Sequence, residues 1–147
     1  MKSLNNFTMT VNSNSVNESF VRVAVAAFVS SLDPTVEEIC DIKTAVSEAV
    51  TNCIVHAYKD SIGKIFISCD ILENRVISVK IRDRGCGIEN VQKAMEPLFT
   101  TGGSERAGLG FAVMESFMDN ITVRSKPQKG TTVILKKKLS FRAGNNG

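Results

Sequence analysis

Lys64-Ile65-Phe66-Ile67-Ser68-Cys69-Asp70-Ile71-Leu72-Glu73-Asn74-Arg75-Val76-Ile77-Ser78-Val79-Lys80-Ile81-Arg82 reads as one strand folded back on another. Polar and apolar residues alternate through 64–72 and again through 75–82, the period of a half-buried strand. Glu73-Asn74 leaves room only for a short turn, so the pair is an antiparallel hairpin. Residues 6–11 alternate in the same way (Phe7, Met9, Val11) and predict a further strand. Between these strands lie two helical segments. Ser15-x-x-Glu18 has the form of a capping box ahead of the apolar run Phe20, Val23, Ala24, Ala27, Phe28. Leu32-Asp33-Pro34 then ends that helix and starts the next, with Asp33 as N-cap, Pro34 in the first helical position and Glu37 and Glu38 in the positive first turn. The second helix is expected to reach about Val55.

After the hairpin comes the glycine-rich Asp83-Arg84-Gly85-Cys86-Gly87, then a short helix over 88–95. Residues 96–110 contain Pro97 and four glycines without periodicity and are expected to form a mobile loop, followed by a helix over 111–118. Two more strands, 121–125 and 131–139, flank Lys126-Pro127-Gln128-Lys129-Gly130, and 140–147 is expected to be a loose tail. Strands therefore come in adjacent pairs. The expected fold is a two-layer α/β sandwich, a mainly antiparallel sheet with helices on one face, in a single domain spanning 1–139.

Composition narrows the function classes. A chain of 147 residues suits one domain. No apolar run approaches the ~20 residues of a membrane span, and the first residues lack a signal-peptide core. Cys40, Cys53, Cys69 and Cys86 show no C-x-x-C spacing, so they are expected to be free thiols in a reducing cytoplasm. A net charge of +3 does not signal nucleic acid, and Lys136-Lys137-Lys138 is read as a solvated strand end whose charge discourages edge pairing.

Three motifs carry chemistry. Glu48, Asn52 and His56 fall on one helix face at i, i+4 and i+8. A polar stripe on an otherwise apolar helix costs free energy unless its members are paired or used, although a solvated face would show the same spacing. Asp83 closes a strand, where a carboxylate can accept from an exocyclic amine, and Gly85 and Gly87 would let backbone approach a flat ring; a plain turn has the same composition. Gly108-Leu109-Gly110 precedes the last helix, and amides at a helix N-terminus bind anions, whereas a flexible hinge would look alike.

Taken in order, the three resemble the GHKL ATPase superfamily, which includes gyrase, Hsp90, MutL and histidine-kinase catalytic domains. Glu48-x-x-x-Asn52 is similar to its N box, Asp83-x-Gly85-x-Gly87 to its first glycine box and Gly108-Leu109-Gly110 to its second. Glu96-Pro97-Leu98-Phe99-Thr100-Thr101 resembles the phenylalanine box of its kinase branch, and Thr131 or Thr132 the threonine supporting the adenine pocket. The resemblance implies the Bergerat fold and a set of roles. Asn52 would hold Mg²⁺ against the phosphates of ATP, Asp83 would accept from the adenine amine, and Glu48 would be the general base. Gly85, Gly87, Thr101, Leu109 and Thr132 would complete the nucleotide site, with Gly108 and Gly110 cradling the phosphates under a lid of residues 96–107.

Fold alone does not settle function. The only histidine, His56, lies within the N box, which leaves no phosphoacceptor hairpin of a histidine kinase. The chain, taken as whole from Met1, is similar to the bacterial anti-sigma serine kinases, and more so to their sporulation branch. Leu32-Asp33-Pro34-Thr35, residues 42–52, Arg106-Ala107-Gly108-Leu109-Gly110-Phe111 and Met114-Glu115-Ser116-Phe117-Met118-Asp119 carry that likeness. The family often has a glycine near His56-Ala57-Tyr58, absent here. The resemblance implies a cytoplasmic homodimer that sequesters a sigma factor and phosphorylates a serine on an anti-anti-sigma protein, with no direct nucleic-acid or membrane partner. Arg22 resembles a partner-contact arginine, and Arg106 would meet phosphate or partner; ordinary surface arginines fit both positions. A stress-response anti-sigma kinase and a module that binds ATP without transferring phosphate remain alternatives.

Overall fold

The computed structural model describes residues 1–95 and 103–141, the side chains of 103–109 excepted. Five strands form one sheet: β1 (Ser3–Asn12), β2 (Lys64–Leu72), β3 (Val76–Asp83), β4 (Asn120–Lys126) and β5 (Gly130–Lys138). Their order is β1-β2-β3-β5-β4, and every neighbouring pair is antiparallel. The hairpin forms as its alternation requires, with Ile71 opposite Ile77 and Ile65 opposite Asp83. Ile65, Ile67, Cys69, Val79, Ile81, Val133 and Leu135 point inward, where α1 (Asn17–Val29), α2 (Val36–Asn52) and α4 (Gly103–Phe117) cover the sheet. The α/β sandwich expected from the sequence is the fold observed.

The two helix starts differ from the sequence-based expectation. No side chain caps α1. Glu18 instead accepts the hydroxyl of Ser47 on α2 and lies 3.5 Å from Nε of Arg22, so its carboxylate links two helices rather than closing one. Asp33 is not the cap of α2: it adopts a left-handed conformation at the end of a 3₁₀ turn, Ser30–Leu32. Thr35 caps the helix. Its hydroxyl accepts from Glu38 N at 3.0 Å, and Glu38 Oε1 accepts from Thr35 N at 2.9 Å, a complete capping box.

Helix α2 does not run on to Val55. After Asn52 it widens into a π-helical turn, Cys53–Ala57, with Tyr58 N donating to Cys53 O at 3.1 Å. Of the expected helix over 88–95, Val91–Ala94 is helical (α3). Helix α4 begins at Gly103, eight residues earlier than expected. A glycine costs a helix roughly 1 kcal/mol relative to alanine. Here the packing of α4 on α2, with Phe111 and Met114 fully buried, outweighs that cost. Residues 103–110 are therefore not the loop expected, while 96–102, including the phenylalanine-box segment and Thr101, lie outside the described residues.

The lysine run also reads differently in three dimensions. Strand β5 is interior, between β3 and β4, so its lysines guard no edge. Lys137 donates to the Phe117 carbonyl at 2.7 Å and faces Asp41 at 3.5 Å, while Lys136 and Lys138 are exposed on the uncovered face. Beyond β5, Leu139 is buried and Ser140 N donates to Glu38 Oε2 at 2.7 Å; residues 142–147 of the expected loose tail lie outside the described residues.

Candidate functional site

A cavity of about 660 Å³ opens between α2, α3, α4 and the ends of β3 and β5, lined by Asn52, Cys53, Asp83, Gly87, Phe111 and Thr131 among others. The motifs come from α2, from the end of β3 and from α4. The end of α2 contributes Glu48 and Asn52 one turn apart. Nδ2 of Asn52 is buried and has no hydrogen-bond partner among the described residues. A buried amide without a partner costs free energy unless a ligand supplies one.

Gly110 of α4 completes this corner. A Cβ built there would stand 3.3 Å from both side-chain heteroatoms of Asn52 and from Oε2 of Glu48. Two motifs separated by more than fifty residues of chain thus meet because one of them lacks a side chain. Their meeting is not the one the sequence suggested. Gly108, Leu109 and Gly110 lie inside α4 rather than at its N-terminus, and helix-interior amides bond to carbonyls of the preceding turn. An exposed glycine-amide cradle at the head of a helix is therefore not what the backbone forms here.

Asp83 ends β3 and is almost fully buried, 5% exposed. Its Oδ1 accepts from Gly85 N at 2.9 Å and Thr131 N at 3.2 Å, and its Oδ2 from the Cys53 thiol at 3.5 Å. Burial pushes the carboxyl above the ordinary aspartate value, against the lowering effect of these three bonds. Thr131 lies on the cavity side of β5. The next residue, Thr132, points to the opposite face of the sheet by the period-two rule, so of the two threonines only Thr131 is at the site. Its hydroxyl sits 2.8 Å from Ser125 Oγ, which also accepts from Ile88 N at 2.7 Å.

The two glycines after Asp83 are demanded by packing. Any Cβ on Gly85 would overlap the Ala57 carbonyl, and Gly87 has φ +75° with the Lys126 carbonyl where a Cβ would go. Cys86 N donates to Ala57 O at 3.1 Å and Gln128 N to Cys86 O at 2.6 Å, so the loop is clamped between the π-turn and the β4–β5 turn. Tyr58 braces it further: its hydroxyl accepts from Arg84 N at 2.6 Å and donates to Lys64 O at 2.7 Å. The sequence reading missed Tyr58 and Cys53. Cys53 directly follows Asn52, and that adjacency was its only signal.

Asn52, Asp83 and Gly87 thus line one cavity, Gly110 and Glu48 meet Asn52 behind it, and Gly85 follows Asp83 in the loop. Arg22 lies apart on α1, half-exposed and paired with Glu18. Gly108, Leu109 and Arg106 are placed in α4 by their backbone, their side chains being outside the described residues.

A family model described as a histidine kinase-like ATPase domain matches residues 11–137. The Clostridium acetobutylicum anti-sigma F factor is 56% identical over 128 residues, 86% of this chain and 89% of the relative. The chain belongs to the anti-sigma F factor family, within the histidine kinase-like ATPases. The Caldanaerobacter subterraneus anti-sigma F factor is 60% identical over 126 residues, 85% of this chain and 87% of that protein. Among solved structures, the RsbU and RsbW domains of a Mycobacterium tuberculosis protein superpose with TM-score 0.71 at 20% identity, over 95% of this chain and 33% of that one. The histidine kinase domain of an Erythrobacter litoralis blue-light activated kinase gives 0.54 at 18% identity, over 83% and 61%. These two likenesses bear on the fold, and both agree with the five-stranded sheet and helical layer of this ATPase family.

Proposed function

We propose that this chain is an anti-sigma factor that sequesters a sporulation sigma factor and uses Mg-ATP to phosphorylate a serine on an anti-anti-sigma protein. The observation that carries the reading is the corner where Gly110 makes room for Asn52 and Glu48 within a chain of the anti-sigma F family. An amide at the cavity with a carboxylate one helical turn away suits phosphoryl transfer, in which positioning and charge neutralisation supply most of the catalysis.

The residues present fit the ligand. Asn52 has an unpartnered Nδ2 that would donate to a phosphate oxygen, and its Oδ1 is the atom that would hold a phosphate-bound Mg²⁺, which would supply neutralisation of phosphate charge. Asp83, with Oδ1 held by two backbone amides, offers a carboxylate to the exocyclic amine of adenine. Thr131 supports that carboxylate through its backbone, and Phe111 and Ala49 give the cavity an apolar wall. Glu48, one helical turn before Asn52, would accept the proton of the incoming serine hydroxyl. The protein would act in the cytoplasm as a homodimer. Phe20 and Val23 on α1, 56% and 58% exposed, support self-association. Arg22, on the same helix, remains the residue proposed to contact a partner, with Arg106 proposed beside it.

The decisive experiment incubates the protein with labelled ATP, Mg²⁺ and the anti-anti-sigma protein of the same bacterium, with sigma-factor binding assayed in parallel. Label on a serine of that protein and nucleotide-dependent sigma binding support the reading. Sigma binding with no transfer under any nucleotide condition would leave an ATP-binding module without kinase activity.

A further inference from the structure

Of the residues around the cavity, Cys53 has no place in the roles above, yet its thiol is 3% exposed and donates to Oδ2 of Asp83 at 3.5 Å. Oδ1 of the same carboxylate is already held by the amides of Gly85 and Thr131. The three donors come from the π-turn after α2, from the glycine loop and from β5, so they fix the carboxylate from three sides. We propose that Cys53 is a positioning residue that orients the Asp83 carboxylate and favours its ionised form for the exocyclic amine of an adenine nucleotide. The inference rests on the nucleotide reading of the cavity and adds the group that sets how well its key acceptor works.

An ionised carboxylate is acceptor-only on both oxygens, whereas a protonated one turns one oxygen into a donor. Rotation about Cβ–Cγ moves both oxygens together, so the amides on Oδ1 and the thiol on Oδ2 hold the carboxylate plane from both ends. A thiol is a weak donor, so it holds Oδ2 without competing strongly against an incoming N–H. Other titratable groups surround the cavity: His56 and Lys59 near the π-turn, Cys86 and Glu89 after β3, and Lys93 on α3. Arg84 and Tyr58 adjoin Asp83 along the chain and across the loop. The donors seen on Asp83 are the Cys53 thiol on Oδ2 and the amides of Gly85 and Thr131 on Oδ1.

Two measurements on the full chain test the role. The first follows the Asp83 carboxyl carbon by NMR across acid pH without nucleotide, in the unsubstituted protein, in Cys53→Ala and in Cys53→Ser. Loss of a donor to the charged form should raise the Asp83 midpoint in Cys53→Ala, while the hydroxyl of Cys53→Ser should not raise it. The second is calorimetric titration with Mg-ATP near neutral pH. Cys53→Ala should bind about three- to tenfold more weakly, the loss growing toward acid, and Cys53→Ser should stay close to the unsubstituted protein. Melting curves establish that each variant is folded, and Cys53→Val replaces alanine if the smaller side chain is not tolerated. Equal weakening in the serine and alanine variants would reduce Cys53 to a packing residue and overturn the proposal. So would unchanged midpoints and affinities in both. If the midpoints shift as expected but the unsubstituted protein binds no ATP, the nucleotide reading of the cavity fails while the Cys53–Asp83 coupling itself stands.

Discussion

Gly110 on α4 presses against Asn52 on α2 so closely that a single methyl group on the glycine would stand 3.3 Å from both heteroatoms of the asparagine amide. That is tighter than ordinary van der Waals contact but short of a hard overlap. Gly110→Ala should therefore be accommodated by a shift of Asn52 and Glu48. Alanine favours a helix over glycine by about 1 kcal/mol, so the melting temperature should hold or rise. Nucleotide affinity should fall severalfold, because the displaced amide is the proposed metal ligand. Paired melting and calorimetric titration check this. A variant that is destabilised yet binds ATP normally would separate Gly110 from the site.

Asp83→Asn keeps an oxygen for the amides of Gly85 and Thr131 but turns the second oxygen into a donor. Removing one acceptor from a buried recognition pair costs about 1–3 kcal/mol, so ATP affinity should drop tenfold or more. The ligand-free protein should respond in the opposite sense. Burial raises the Asp83 carboxyl above its ordinary 3.8, so in the window from there up to its folded value the native state holds more protons than the unfolded state. Stability of the unsubstituted protein thus falls as pH rises through that window, and the asparagine variant escapes the loss. Scanning calorimetry from acid to neutral pH should show the variant gaining on the parent. A constant difference at all pH values would contradict it.

Glu48→Gln preserves shape but cannot accept a proton. Losing a general base typically costs ~10²–10⁴ in rate. Phosphate transfer to the anti-anti-sigma protein should fall by that order, with ATP affinity and sigma-factor binding retained. Joint loss of all three would mean that Glu48 holds the metal or the corner itself.

Glu38 links the start of α2 to the end of the chain by accepting from Thr35 N at 2.9 Å and Ser140 N at 2.7 Å. Burial would raise its carboxyl, but these bonds prevail and hold it below its ordinary 4.5. Its stabilising effect is therefore complete above that value and is lost as pH falls through the lower folded value. Glu38→Ala should cost about 0.5–2 kcal/mol at neutral pH, typical of a lost cap. Urea denaturation should show the gap narrowing in acid; a gap independent of pH would assign the effect to packing alone.

Much of the fold was legible because strand alternation is a local signal. Ile65, Ile67 and Ile71 announce their face without reference to the rest of the chain, and the short turn at Glu73-Asn74 forces the hairpin. The capping residues were harder to place. Ser15 and Asp33 have the right chemistry for a cap, but a cap requires extended backbone at that residue. Asp33 is left-handed, and Glu18 was drawn away by Ser47 on another helix. The glycines of 103–110 suggested a loop because intrinsic propensity cannot see that α2 offers α4 a packing partner.

The sequence by itself determined the sheet and the helical layer through local periodicity, and pointed to Glu48, Asn52 and Asp83 through their resemblance to the GHKL motifs. Only the tertiary structure decided what those residues touch. It chose Thr131 over Thr132, because strand register assigns alternate residues to opposite faces. It assigned Gly85 and Gly87 to the clamping of a loop, and brought the Cys53 thiol onto Asp83 across thirty residues of chain. Such contacts depend on how elements stack, and stacking is fixed by burial summed over the whole core rather than by any local run of residues.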